Sequence, residues 1–224
     1  MSRSEGSGDP AEDEPTVPAE LAESWRTAEA RLFGALLNGP DFYQAAVAVV
    51  GETVDRLRLL GPSTTALRNA APTIGALVRD GLERGSPASR IDPELAGRAA
   101  LAMRHREIVA EQASMRRAKL LAAARAEQLS WVVLEESGDR AGDPFLPYRR
   151  LEADATTGHA LLVTADPDED FRTCQHAVEV LRVDVENGRV GAPSNPSGGP
   201  FRCQGSDDRE ARAVALRAAL SRSG

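Results

Sequence analysis

The sequence predicts an α+β fold: an N-terminal helical bundle with one long helix, then a small antiparallel β-meander, then a C-terminal helix. Three observations support this prediction. Alanine, leucine and arginine recur at helical spacing up to about residue 130. From Trp131 onward, short β-branched runs have a period of two. Asp-x-x-x-Gly motifs follow two of these runs, as is typical of hairpin turns.

Composition divides the chain into five predicted segments. The N-terminal segment is rich in Ser, Gly, Pro, Asp and Glu, so it buries too little apolar surface to offset the entropy of ordering. A second Pro/Ser/Gly stretch follows the meander and is predicted to be a linker. The predicted segments are a disordered acidic leader 1–18, a helical domain 19–128, a β-meander 129–191, a linker 192–205 and a C-terminal helix 206–224.

Four shorter helices are predicted ahead of the long one. Asn38-Gly39-Pro40 and Gly61-Pro62 end the first two. Asp41 is expected to cap the second helix, and Ser63 or Thr64 the third, because these side chains accept hydrogen bonds from unpaired N–H groups. The predicted spans are about 19–37, about 42–60, a short third helix ending at Pro72, and about 73–84.

The long helix has the clearest start in the chain. Asp92-Pro93-Glu94 combines a capping side chain, a proline suited to the first turn and an acidic residue near the positive end of the helix dipole. No Gly or Pro occurs from Arg98 to Ser137, so the helix is predicted over about 93–128. A partial heptad pattern is interrupted by Arg106 and Arg116, which favours a bundle helix over a coiled-coil zipper.

An internal repeat predicts two hairpins of similar design. Leu151-x-x-Asp154-x-x-x-Gly158 matches Leu181-x-x-Asp184-x-x-x-Gly188. In each copy the Asp side chain is expected to bond the turn backbone, while the Gly supplies a positive φ. Strands are predicted over 131–134, 148–153, 160–164 and 177–183, which gives a meander of four or five strands.

The predicted C-terminal helix runs over about 209–221, capped by Ser206-Asp207-Asp208. Its apolar stripe is thin, so the helix either docks lightly or forms a tail. The stripe consists of Ala211, Val214, Ala215 and Ala218.

Charge and composition exclude several classes of protein. The net charge of −7 disfavours non-specific binding to nucleic acid. No apolar run approaches the length that spans a bilayer, and the N-terminus lacks the features of a signal peptide, so we expect a cytoplasmic protein. Two cysteines, Cys174 and Cys203, are too few for a disulfide scaffold.

The sequence predicts no catalytic residues, no metal site and no cofactor. Asp166-Pro-Asp-Glu-Asp170 resembles the opening of a calcium loop, but Phe171 stands where a Gly is needed and Ala177 where a bidentate Glu belongs. The spacing of Cys and His does not suit zinc. Glu135 and Glu136 should point to opposite faces of their strand, which argues against a carboxylate pair.

Two sets of residues are nevertheless candidates for binding. A small ligand held between helices and sheet would contact four polar side chains, with Glu135 as a further candidate. These are Tyr148, Arg150, His159 and His176. A macromolecular partner would meet the locally basic part of the long helix. The candidate interaction residues in this part of the helix are Arg104, His105, Arg116 and Arg117.

The residues favour a non-enzymatic interaction or regulatory protein that acts through protein–protein contacts, either with a protein partner or as a homo-oligomer. The reasons are the acidic leader, the long charged helix and the scarcity of catalytic residue types. Two alternatives remain open. One is an enzyme or small-ligand binder. The other is a nucleic-acid-associated regulator acting through the basic segment, disfavoured because no aromatic side chains interleave with the arginines.

Overall fold

The computed structural model describes residues 16–34, 39–83, 90–137, 148–165, 175–191 and 201–204. It confirms the α+β fold, with helices preceding an antiparallel sheet. The chain divides into two compact units, 1–111 and 112–224. Most of the predicted leader, the calcium-like loop, Cys174 and the predicted C-terminal helix lie outside the described residues.

The first unit is helical. The division between the two compact units falls at 111/112, within the long helix. The boundary of 128/129 predicted from the sequence marks the end of that helix and stays a prediction. The buried core includes Trp25, Leu57, Leu67 and Leu101. The elements are α1 (Ala19–Gly34), α2 (Pro40–Arg58), α3 (Thr64–Ala70), a 3₁₀ turn (Ala71–Thr73), α4 (Ile74–Glu83) and α5 (Pro93–Ala126).

Two of the predicted helix caps are confirmed and one is wrong. The Ser63 hydroxyl accepts a hydrogen bond from the Ala66 N–H at 3.2 Å, and the Asp92 carboxylate accepts one from the Glu94 N–H at 2.9 Å. Asp41, in contrast, lies inside the first turn of α2. The helix begins at Pro40, two residues earlier than predicted, because Pro40 has a φ suited to the first turn and no N–H that needs a partner.

The second unit contains a five-stranded antiparallel meander in which every strand pairs with its sequence neighbours. The strands are β1 (Trp131–Ser137), β2 (Tyr148–Asp154), β3 (His159–Ala165), β4 (Gln175–Arg182) and β5 (Phe201–Gln204). The fifth strand lies within the predicted linker 192–205. Phe201-Arg-Cys-Gln contains no Gly or Pro and pairs with the start of β4, so the Pro/Ser/Gly composition covers only the residues before it.

The repeated turn chemistry is confirmed at both predicted positions. The Asp154 carboxylate accepts hydrogen bonds from the N–H groups of Thr156 and Thr157 at 2.7 and 3.0 Å. The Asp184 carboxylate accepts equivalent bonds two and three residues on, at 2.9 and 3.2 Å. Gly158 and Gly188 have φ of 72° and 67°, the left-handed region that favours glycine. Local side-chain chemistry therefore sets both chain reversals.

The two faces of the sheet have different surroundings. On one face, Leu121 and Ala124 of α5 form a buried cluster with sheet residues that include Leu151, Ala160 and Leu181. We call this the helix face. The other face has its own smaller cluster, which among the described residues contains only sheet side chains. We call this the second face.

Among the described residues, no helix has the length and apolar content needed to traverse a lipid bilayer.

Candidate functional site

Arg104, one of the predicted interaction residues, is buried within the first unit. Its guanidinium donates to the Gly61 carbonyl at 3.1 Å and to the Glu107 and Glu111 carboxylates at 3.0 and 3.2 Å. Glu107 also pairs with Arg58 on α2, and the hydrogen bond from Arg58 lowers the pKa of this carboxyl below its usual value. Arg104 therefore ties α5 to the turn after α2 and is not presented to solvent.

His105 is partly buried against the aromatic core of the first unit. Its ring meets Trp25 edge to face, with centroids 6.0 Å apart and planes at 78°. Burial lowers the pKa of His105, and the positive charge of Arg26 lowers it further. His105 therefore packs against Trp25 and takes up a proton less readily than a free histidine does.

Arg117 is also buried, and it connects α5 to the sheet. Its Nε donates to the Gly188 carbonyl at 2.7 Å, and its terminal nitrogens bond Ser114 at 3.1 Å and the carboxylate of Glu135. Glu135 reaches it because β1 contains a bulge between Val133 and Glu135. The bulge places Glu135 opposite Leu151, on the helix face, instead of following a simple alternation.

Arg116 is the only one of the four predicted interaction residues at an exposed position. It belongs to the surface of α5 that points away from the sheet. We call this surface the α5 patch. Two large apolar side chains lie in this surface, Met115 at 53% exposure and Leu120 at 40%. The α5 patch consists of Met115, Arg116, Lys119, Leu120, Ala122, Ala123 and Ala126.

The α5 patch contains basic residues and no acidic one. Residues 112–126 contain four basic residues and no acidic one. Arg117 and Arg125 pair with Glu135 and Glu186 of the second unit. Arg116 and Lys119 both lie at exposed positions.

The sequence analysis did not identify Met115 or Leu120 as surface residues. The sequence pattern that could have identified these two residues is the presence of apolar residues on two opposite sides of one helix. Leu121 and Ala124 form the buried side, so large apolar residues on the opposite side are in excess of what one core requires.

The four predicted ligand-binding residues lie on the same face of the sheet but do not all lie close together. The strand register places Tyr148, Arg150, His159 and His176 on the second face. His159 pairs with Arg182 while His176 lies six residues earlier on β4, which separates the two by about 20 Å along the strand. Of Tyr148 and His176 the structure describes the backbone positions only.

The described side chains of this set have local partners. Arg150 Nε lies 2.6 Å from the Glu152 carboxylate, an ion pair that lacks hydrogen-bond alignment. His159 Nδ1 lies 3.0 Å from the Thr157 hydroxyl. Glu135 faces the opposite side of the sheet, where it pairs with Arg117. These groups therefore do not converge on a common ligand position.

A cavity of about 550 Å³ lies in the first unit. None of the predicted ligand-binding or interaction residues lines it. Trp25, Ile74 and Leu101 supply apolar lining. Three polar residues of its lining have local contacts, since Asp92 caps α5 and Arg98 pairs with Glu94. Among the described residues, no cluster of three or more His, Cys, Asp or Glu could hold a metal ion.

Comparison with protein-family models, with curated proteins and with solved structures finds no match to this chain.

Proposed function

We propose that this protein is a non-enzymatic interaction protein that binds a protein partner through the α5 patch. The observation that carries the proposal is the exposure of Met115 and Leu120 on a helix whose opposite side already packs on the sheet. Methionine is an adaptable contact residue, and both methionine and arginine are enriched at protein interfaces. An exposed side of a helix would otherwise be expected to carry polar residues.

The partner we propose is an acidic amphipathic helix. Ala122, Ala123 and Ala126 leave little side-chain bulk, so a second helix can approach α5 closely. The exposed Arg116 favours a partner of opposite charge. A second copy of the chain would bring the same cations together, which disfavours a symmetric contact through this surface.

The alternatives have less support. The nucleic-acid alternative needs several phosphate contacts, but Arg104 and Arg117 are buried and paired inside the protein. The small-ligand alternative on the sheet has less support because His159 lies opposite Arg182 of β4, six residues along that strand from His176. The expected cytoplasmic location remains part of the proposal, to be tested by cell fractionation.

The test compares two identical substitutions on the full chain. Leu120→Glu changes the α5 patch, and Leu59→Glu changes a leucine of the first unit that is 86% exposed. Both tagged variants and the unchanged chain are used to recover partners, which are quantified by mass spectrometry, and circular dichroism confirms that each variant is folded. We expect the principal partner to be lost with Leu120→Glu and retained with Leu59→Glu.

Retention of every partner by folded Leu120→Glu would show that the α5 patch is not the binding surface. Light scattering on the unchanged chain tests the homo-oligomer alternative. If the unchanged chain were a dimer and Leu120→Glu dissociated it, the partner bound by the α5 patch would be a second copy of the chain and not an acidic helix.

A further inference from the structure

The cavity of the first unit lies among three helices and has an apolar floor. Trp25 of α1, Ile74 of α4 and Leu101 of α5 form part of its lining. Trp25 and Leu101 are 2% and 1% exposed, so the floor belongs to the hydrophobic core of this unit. Pockets that hold small molecules have volumes of roughly 300–1,000 Å³, and the cavity, at about 550 Å³, lies within this range.

Gly75 leaves room on the cavity wall. It lies in α4 and lines the cavity, and a Cβ added there would meet nothing within 4 Å. At Gly97 of α5, in contrast, a Cβ would lie 2.8 Å from Ile74, so packing requires a glycine at that position. A larger residue at Gly75 would therefore occupy space that the present side chains leave open.

Two arginines from different helices lie in the polar part of the lining, Arg79 of α4 and Arg98 of α5. The Nε of Arg79 donates to the Gly75 carbonyl at 3.1 Å. Its terminal nitrogens have no bonding partner within the part of the chain that the structure describes. Arg98 pairs with Glu94 one turn earlier on α5, and an exposed pair of this kind contributes little to stability.

We propose that this cavity binds a small carboxylic acid with an apolar body, aliphatic or aromatic. The apolar floor takes the body, and the terminal nitrogens of Arg79 bind the carboxylate, whose planar shape matches a guanidinium. A cationic ligand has less support because the acidic groups of the lining are engaged. The Asp92 carboxylate accepts the Glu94 N–H at 2.9 Å, and Glu94 pairs with Arg98.

Three probes with one body and different head groups test the proposal on the full chain. They are phenylpropionate, phenylpropanol and phenylpropylammonium, and binding is followed by NMR of the tryptophan indole N–H groups. Trp25 lines the cavity and Trp131 lies in the second unit, so the second tryptophan is the control for the first. We expect phenylpropionate to shift the Trp25 resonance saturably, to leave that of Trp131 in place, and to bind at least about tenfold more tightly than phenylpropanol.

Two matched pairs of variants locate the ligand. Arg79→Gln should reduce the affinity for phenylpropionate to that for phenylpropanol. Arg31→Gln, the same change at an exposed arginine of α1 outside the lining, should leave it unchanged. Gly75→Leu should weaken both probes by about tenfold or more, because the new side chain takes up part of the cavity. Gly51→Leu, where a Cβ also meets nothing within 4 Å, should have no effect.

A Trp25 resonance that stays in place with phenylpropionate in millimolar excess would overturn the site. Equal binding of acid and alcohol, or tighter binding of phenylpropylammonium, would overturn the ligand class. The proposal also fails if Arg79→Gln and Arg31→Gln behave alike, or if folded Gly75→Leu binds as the unchanged chain does. Should Gly75→Leu not fold, the exposed Arg79→Gln and the series of head groups decide.

Discussion

The Nε of Arg117 donates a hydrogen bond of 2.7 Å to the carbonyl of Gly188, a residue 71 positions later in the chain. This contact fixes the second Asp–Gly turn on α5. A Cβ added at Gly188 would lie 2.1 Å from the Ser114 carbonyl oxygen and 2.6 Å from the Ala118 nitrogen. Glycine is therefore required there twice, for its positive φ of 67° and for the approach of the helix backbone.

Gly188→Ala should lower the free energy of unfolding by about 3 kcal/mol or more, since a strained φ costs about 1–3 kcal/mol before any clash is counted. Urea unfolding followed by circular dichroism measures the change. Gly51→Ala is the control, because its Cβ meets nothing within 4 Å on a regular helix. It should instead stabilise the protein by up to about 1 kcal/mol. Equal effects at the two glycines would contradict the close approach of turn and helix.

Arg117→Met should lower the free energy of unfolding by about 2 kcal/mol. The variant loses the bonds to Gly188 and Ser114 and leaves Glu135 without its cation. Breaking a fully buried ion pair costs about 3–5 kcal/mol, and the partial exposure of Glu135 reduces that figure.

The matched control is Arg116→Met, the same substitution at the exposed neighbouring position. It should change the free energy of unfolding by no more than about 0.5 kcal/mol. If Arg117→Met proved as mild as its neighbour in denaturant unfolding, the arginine would have no role in joining helix and sheet.

Stability should fall at mildly acidic pH because of His105. Burial beside Trp25 lowers its pKa below the ordinary value of 6.5, so the unfolded chain takes up a proton more readily than the folded one. The free energy of unfolding should therefore decrease as the pH falls through about 6.5, and level off below the lowered pKa. Urea unfolding at a series of pH values from 5 to 8 measures this profile, with the range chosen around the ordinary histidine pKa.

His105→Gln removes the titrating group and should flatten this part of the profile. His159→Gln is the control, because that ring lies at the sheet turn beside Thr157. A profile unchanged by His105→Gln would refute the assignment of the acid-sensitive step to this residue.

Glu107 should give a second loss of stability at lower pH. Its hydrogen bond from Arg58 lowers its pKa below 4.5, so its contribution is complete above that value and disappears as the pH falls through the lowered pKa. Glu107→Gln should remove this step and leave the step of His105 in place. Measuring the unfolding midpoint as a function of pH distinguishes the step of Glu107 from the step of His105. If the low-pH step kept its full size in Glu107→Gln, it would belong to other carboxylates.

The sequence alone determined the features set by neighbouring residues. The switch from helical spacing to a period of two places the first strand at Trp131, as observed. The Asp154 and Asp184 turns follow from side chains that bond backbone groups two and three residues away. The caps at Ser63 and Asp92 have the same origin, since each bond closes within three residues.

Only the tertiary structure decided which residues face inward. Arg104 and Arg116 look alike in the sequence, but the first is buried because the Gly61 carbonyl, 43 residues away, accepts its hydrogen bond. Glu135 meets Arg117 because a bulge in β1 changes the face on which it lies. Side-chain orientation of this kind depends on groups brought together by folding, whereas helix starts and turns depend on groups already adjacent in the chain.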